Sequence, residues 1–294
     1  MGNDLFNPAD YGWSLNGSGA VNKQALLDTL TAANGKSVLI PTGEWEIDHS
    51  ITFNGPISLV GMDALSTTVW VKGVGDLFRH DLKYGYFSAK NFSVSYQDSN
   101  GISTFFNIRH LQPFIDATHW NRNFILDSVR CINRNVERRG CCVNLAVQQD
   151  VFIFFAKVMN CWFQDADQAI NINARPDGNF GSINGVSILN NVFNECLCDV
   201  ESSGKVHTLT AVNNHHQCTT VANGFKGCYK LSGRYGTFIN NKEHDLDWAN
   251  GGRSYIFKSD ALMNNVIGSL HTKNQACLDY NNSSTNTWYC NSNI

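Results

Sequence analysis

At 294 residues the chain is long enough to bury a large core, and a solenoid can run that length as one domain. Charged residues make up 16%, against about 25% in an average globular chain, and the net charge is −3, which argues against nucleic acid or an anionic membrane as partner. No stretch approaches the ~18 apolar residues of a membrane span, and Met1-Gly2-Asn3-Asp4 offers neither a signal peptide nor a myristoylation context.

In chain order, residues 7–19 form a polar lead with Asn-Gly and Ser-Gly turn signals. A helix is predicted over 22–34: Asn22 caps it, Leu26, Leu30 and Ala33 share one face, and Asn34-Gly35 stops it. Short strand runs follow at Val38-Leu39-Ile40, Trp45-Glu46-Ile47-Asp48, Ile51-Thr52-Phe53 and Ile57-Ser58-Leu59-Val60, separated by the turns Thr42-Gly43 and Asn54-Gly55-Pro56. Residues 88–96 and 124–129 read as further strands. Residues 80–85 and 108–123 read as irregular insertions carrying Arg109, His110, His119 and Trp120. After Gln275 the chain turns polar.

A repeat runs through the middle. Six times an apolar residue is followed by Asn, at Ile132-Asn133, Met159-Asn160, Leu189-Asn190, Val212-Asn213, Ile239-Asn240 and Met263-Asn264. The last four carry a second Asn directly after the first. A recurring step of roughly 20–50 residues marks a solenoid or propeller. Runs such as Ser187-Ile188-Leu189 and Thr237-Phe238-Ile239 are too short for helices, which favours strands. Asn tolerates the left-handed corner such coils need, and its amide can bond the equivalent Asn one coil on. The ten Cys fit no paired zinc framework and read as reduced, buried thiols.

The opening carries a family likeness. Asp10-Tyr11-Gly12, the helix through Ala25 to Ala33, Gly35, Val38-Leu39-Ile40-Pro41-Thr42-Gly43, Ile47, Ile57 and Val60-Gly61-Met62 resemble the start of the pectate-lyase-like right-handed parallel β-helix. More narrowly, they resemble the opening of bacteriophage tailspikes and related polysaccharide depolymerases. The likeness covers residues 10–62 by motif and the rest by rhythm. The acidic run usual before the helix is missing, since Gly19-Ala20-Val21-Asn22 stands there. Trp45-Glu46-Ile47-Asp48-His49 mimics a pectate-lyase signature but falls on an opening strand, where a structural role is expected.

The resemblance implies an all-β fold, a right-handed parallel β-helix over 22–275 with one N-terminal capping helix. Residues 1–21 would be a lead, and 276–294 a polar cap or trimer contact. It also implies a homotrimer on a phage tail, in contact with other tail proteins, that binds and degrades a bacterial surface polysaccharide. The virion protein would fold in the host cytoplasm; a secreted bacterial enzyme is the alternative. No cofactor or metal is implied, and no membrane insertion.

Counting five residues forward from the repeating Asn reaches Arg138, Asp165, Glu195, Cys218, Asp245 and Ser269. Asp165 and Glu195 therefore fall at equivalent places on adjacent coils, about one strand spacing apart, or further if their corners diverge. Counting seven reaches Asp167 and Asp247. Paired carboxylates are what glycoside hydrolysis needs, one to protonate the leaving oxygen and one to attack or to activate water. The expected catalytic set is Asp165, Asp167 and Glu195. Asp199, Glu201, Arg175, Trp162 and Trp248 are expected to bind substrate, and the His215-His216 pair to lie on the surface. The alternatives are a solvated acidic corner on a non-catalytic receptor-binding spike, or a polysaccharide lyase using Lys or Arg as base.

Overall fold

The computed structural model describes residues 5–96, 104–110, 123–133, 140–147, 152–174, 182–218, 227–244, 255–258, 261–268, 270–271, 278–280 and 287–289. The described strands form three parallel sheets of 11, 9 and 9 strands. In the first sheet Val38–Ile40 pairs with Ile57–Gly61, then Phe87–Lys90, Phe124–Asp127, Ala156–Met159, Ser182–Leu189 and Val206–Val212. Each coil visits all three sheets and then rises by one strand spacing, ~4.8 Å. The architecture is the expected right-handed parallel β-helix. No helix among the described residues is long and apolar enough to cross a membrane.

The one α-helix among the described residues spans Gly19–Ala33, starting three residues before the predicted position because Ser18, not Asn22, caps it. Asn22 lies inside the helix and is buried, where its side chain accepts from the Ser14 amide and donates to the Glu46 carbonyl. Asn34 ends the helix in the left-handed conformation, as expected. In the strand Gly43–Asp48, Trp45 is buried against Trp13 and donates its indole N–H to Pro41 (2.7 Å), so the signature-like stretch is structural. Gly61 has a steric reason: a Cβ there would lie 2.1 Å from the Asn91 carbonyl oxygen of the next coil. The predicted insertions are partly strand, since His80 lies on Asp76–Asp81, and Arg109 and His110 on Thr104–His110.

The repeating Asn mark the corner between the first and second sheets. Asn160, Asn190, Asn213 and Asn240 all have φ between 52° and 56°. Asn190 donates its side-chain amide to Asn160 (3.4 Å), and Asn213 to Asn190 (3.3 Å). The outer two of the six predicted members are off this ladder. Residue 128 holds the corner below Asn160, because Asp127 pairs with Met159, and Gly268 follows Asn240, because Ile239 pairs with Ile267. Asn133 instead sits at the next corner, opposite Asp165.

Directly after Asn190, Asn213 and Asn240, a second Asn points inward. Asn191, Asn214 and Asn241 are buried and joined side chain to side chain at 3.0 Å. Each Oδ1 also accepts the backbone N–H of the coil before, and each Nδ2 reaches a carbonyl of the first sheet. This column replaces Val129 and Cys161 of the earlier coils. The second sheet changes in the same way, its inward row running Val94, Cys131, Phe163, Phe193, His216, Glu243. Along these two columns the lumen is thus apolar in the earlier coils and increasingly hydrogen-bonded in the later ones.

Candidate functional site

The corner between the second and third sheets turns through a left-handed residue on two adjacent coils. Asp165 (φ 58°) and Glu195 (φ 55°) occupy it on adjacent coils, and Cys218 follows. The Asp165 amide donates to Asn194 (3.1 Å) and the Glu195 amide to Gln217 (2.8 Å), which sets the two acids in register. Both are half-buried. A chain of hydrogen bonds leads to the first acid: Trp162 Nε1 donates to Gln164 Oε1 (3.2 Å), and Gln164 Nε2 to Asp165 Oδ2 (3.0 Å). The Trp162 ring is half-buried, with the Arg130 guanidinium 5.7 Å from its centre. Asp167 stands two residues past the corner, its amide bonded to Gly140 (3.1 Å).

The outer face of the third sheet adjoins this corner. It carries a second amide ladder, in which Asn107 donates to Asp76 (2.7 Å), Asn144 to Asn107 (3.0 Å) and Asn171 to Asn144 (2.9 Å). Glu201 is next in that row, opposite Asn171. It accepts from Gln168 and from Lys258 (3.0 Å), and Lys230 lies 3.2 Å away. Partial burial works to raise the Glu201 carboxyl, but the Lys258 hydrogen bond and charge, joined by Lys230, outweigh it and hold the group below the usual carboxylate range.

Asp199 belongs elsewhere. It was expected beside Glu201 as a substrate contact, yet it is 3% exposed and faces the lumen. In-and-out alternation begins only at Val200; Cys198, Asp199 and Val200 are all buried where the chain enters the strand. His216, expected on the surface, is also fully buried, because its parity on His215–Gln217 is inward while His215 points out. His216 Nδ1 donates to Asp199 Oδ2 (2.7 Å), and Nε2 lies 3.0 Å from the Tyr229 hydroxyl, which accepts from Asn214 (3.3 Å). Burial raises the Asp199 carboxyl, and His216 and Cys228 oppose that rise.

Arg175 and Trp248 lie outside the described residues. The corner thus brings Asp165, Glu195 and Trp162 together, places Asp167 beside them and Glu201 on the adjoining face, and excludes Asp199. Missed in the sequence were the Asn107–Asn144–Asn171 row and the lysines around Glu201. The available signal was the recurring polar-apolar pair Asn107-Ile108, Asn144-Leu145, Asn171-Ile172. The eight described cysteines are free thiols, seven of them buried, as expected; burial pushes Cys161 up to about 12.

No family model and no curated protein matches the sequence. Among solved structures, the chain is similar in fold to ORF18 of Geobacillus virus E2, with TM-score 0.54 and 13% identity. The match covers 97% of this chain and 59% of the viral protein, so the chain spans under two thirds of that relative. It is also similar to the A-module of the Azotobacter vinelandii mannuronan C-5 epimerase AlgE6, with TM-score 0.51 and 13% identity over 98% of this chain and 96% of that one. A tailspike of Acinetobacter baumannii phage AM24 matches at TM-score 0.48 and 11% identity, over 99% and 55%. The structural neighbours are thus phage proteins and a polysaccharide-acting enzyme, and the likeness is one of fold.

Proposed function

We propose that the chain is the β-helical part of a phage tailspike that binds a bacterial surface polysaccharide (capsule, O-antigen or exopolysaccharide) and hydrolyses its glycosidic bonds at the Asp165–Glu195 corner. The observation that carries this reading is the register of the two acids, half-buried on adjacent coils about one strand spacing apart. One acid protonates the leaving oxygen; the other attacks the anomeric carbon or activates a water to do so, and water supplies the hydroxyl of the new reducing end. Carboxyls near 5 Å apart suit retention, and a spacing of ~6.5–9.5 Å suits inversion. Asp167 is the third acid of the set, and Trp162 offers a ring for a sugar face. The amide rows give a polymer lying along the solenoid neutral donors and acceptors at each coil. The spike assembles as a homotrimer with other tail proteins.

A second reading has its own observation. Glu201 between Lys230 and Lys258 places an ionised carboxylate and two cations, all half-buried, on one outer face, a set suited to binding an acidic sugar and abstracting its proton, as a lyase does. The two readings separate on product. Host polysaccharide incubated with the trimer should release reducing ends without a rise in ultraviolet absorbance. An unsaturated product would replace hydrolysis with the lyase reading, and binding without cleavage would leave only a receptor-binding spike.

A further inference from the structure

We propose that Asp199, His216 and Cys228 form a site inside the lumen for a divalent transition-metal ion of the zinc type. One ligand atom from each lies within 4.8 Å of the other two, and all three residues are buried. The placement follows from register. Cys198 pairs with Gly227 and Val200 with Tyr229, so Asp199 and Cys228 stand one above the other in a single inward column. His216 enters from the second sheet. The ion would therefore join two successive coils and two sheets.

The imidazole is held for this role. Its ring lies parallel to Phe193, at 5° and 5.0 Å, with Tyr229 edge-on at 4.8 Å. The Tyr229 hydroxyl at Nε2 is the outer partner that a metal-bound histidine normally has on its second nitrogen. A carboxylate, an imidazole and a thiolate suit zinc by donor softness and count. On binding, the ion takes the Asp199 oxygen, Nδ1 and Sγ. The thiol releases its proton to solvent, and the imidazole proton moves from Nδ1 to Nε2, where it faces Tyr229.

Asp199 and Glu243 both bring acidic side chains into this part of the lumen, Glu243 opposite His216 on the next coil. A bound cation would offset that buried charge.

The experiment uses the full chain expressed with added zinc, and also refolded from denaturant with cobalt(II). About one ion per chain is expected by elemental analysis, together with a thiolate-to-cobalt charge-transfer band and intense visible d–d bands of a tetrahedral site. Cys228→Ser should abolish the charge-transfer band, and His216→Phe, which continues the Phe163–Phe193 stack, should fold without the ion. Tyr229→Phe should weaken zinc binding by about 10–100-fold. Folded protein holding less than about a tenth of an equivalent after both treatments overturns the proposal and leaves a hydrogen-bonded triad. So does a cobalt spectrum unchanged in Cys228→Ser. Neither readout depends on polysaccharide cleavage.

Discussion

Asp165 sits at the same corner as Glu195, one coil away, its amide 3.1 Å from the carbonyl of Asn194, the residue just before Glu195. Left-handed backbone at both positions turns the chain there, and the carboxylates are carried at the turn, half in solvent.

Asp165→Asn and Glu195→Gln should each lower polysaccharide cleavage by about 10²–10⁴-fold, measured as reducing ends released. Stability should change by less than about 0.5 kcal/mol, since Asn tolerates φ 58° and both side chains are only half-buried. Undiminished cleavage in both variants would move the chemistry away from this corner.

The two Asn columns should differ in stability. Asn214→Ala removes bonds to Asn191, Asn241 and the Ile188 carbonyl at a fully buried position, and is expected to cost about 2–4 kcal/mol in urea unfolding. Asn190→Ala, on the exposed ladder, loses two long side-chain bonds and a favourable left-handed residue, for about 1–2 kcal/mol. Equal losses would mean that the inner column bears no special share.

Acid should weaken the fold through two identifiable groups. The folded Glu201 carboxyl lies below its ordinary value of 4.5. Its contribution is therefore present above that pH and is lost as pH falls through the lower folded value. His80, buried with Nδ1 on the Phe53 carbonyl (3.3 Å), has a pKa that burial holds below 6.5. It stays neutral while the unfolded chain takes up a proton, so stability falls as pH drops below 6.5. Thermal melts should show His80→Phe flattening the slope that sets in below about pH 6.5, and Glu201→Gln the slope below about 4.5.

Gly61→Ala should be among the most damaging single-methyl changes in the opening. Its Cβ would meet the backbone of Asn91 and the Phe92 side chain, neither of which can swing away. A loss of about 3 kcal/mol or more is expected, read from the midpoint of chemical unfolding.

Much of this was legible in the sequence because a solenoid repeats its local chemistry. Corner asparagines announce themselves through left-handed preference and even spacing, so Asn160, Asn190, Asn213 and Asn240 were placed correctly, and with them the register of Asp165 and Glu195. Asn133 and Asn264 look the same in sequence but belong to other corners. Coil length is set by variable loops, and a count carried across a loop loses phase.

Parity needed the tertiary structure. Asp199 and Glu201 are two residues apart and should share a face on an ideal strand. Asp199 lies where the chain is still rounding the corner, so it turns inward to His216 while Glu201 turns out to Lys230 and Lys258. The sequence by itself determined the repeat, the capping helix, the corner chemistry and the pairing of two acids. Which polar groups enter the lumen was decided by the closing of the coil. An inward place is set by the phase of the turn before it, and the partners that make burial tolerable come from other coils.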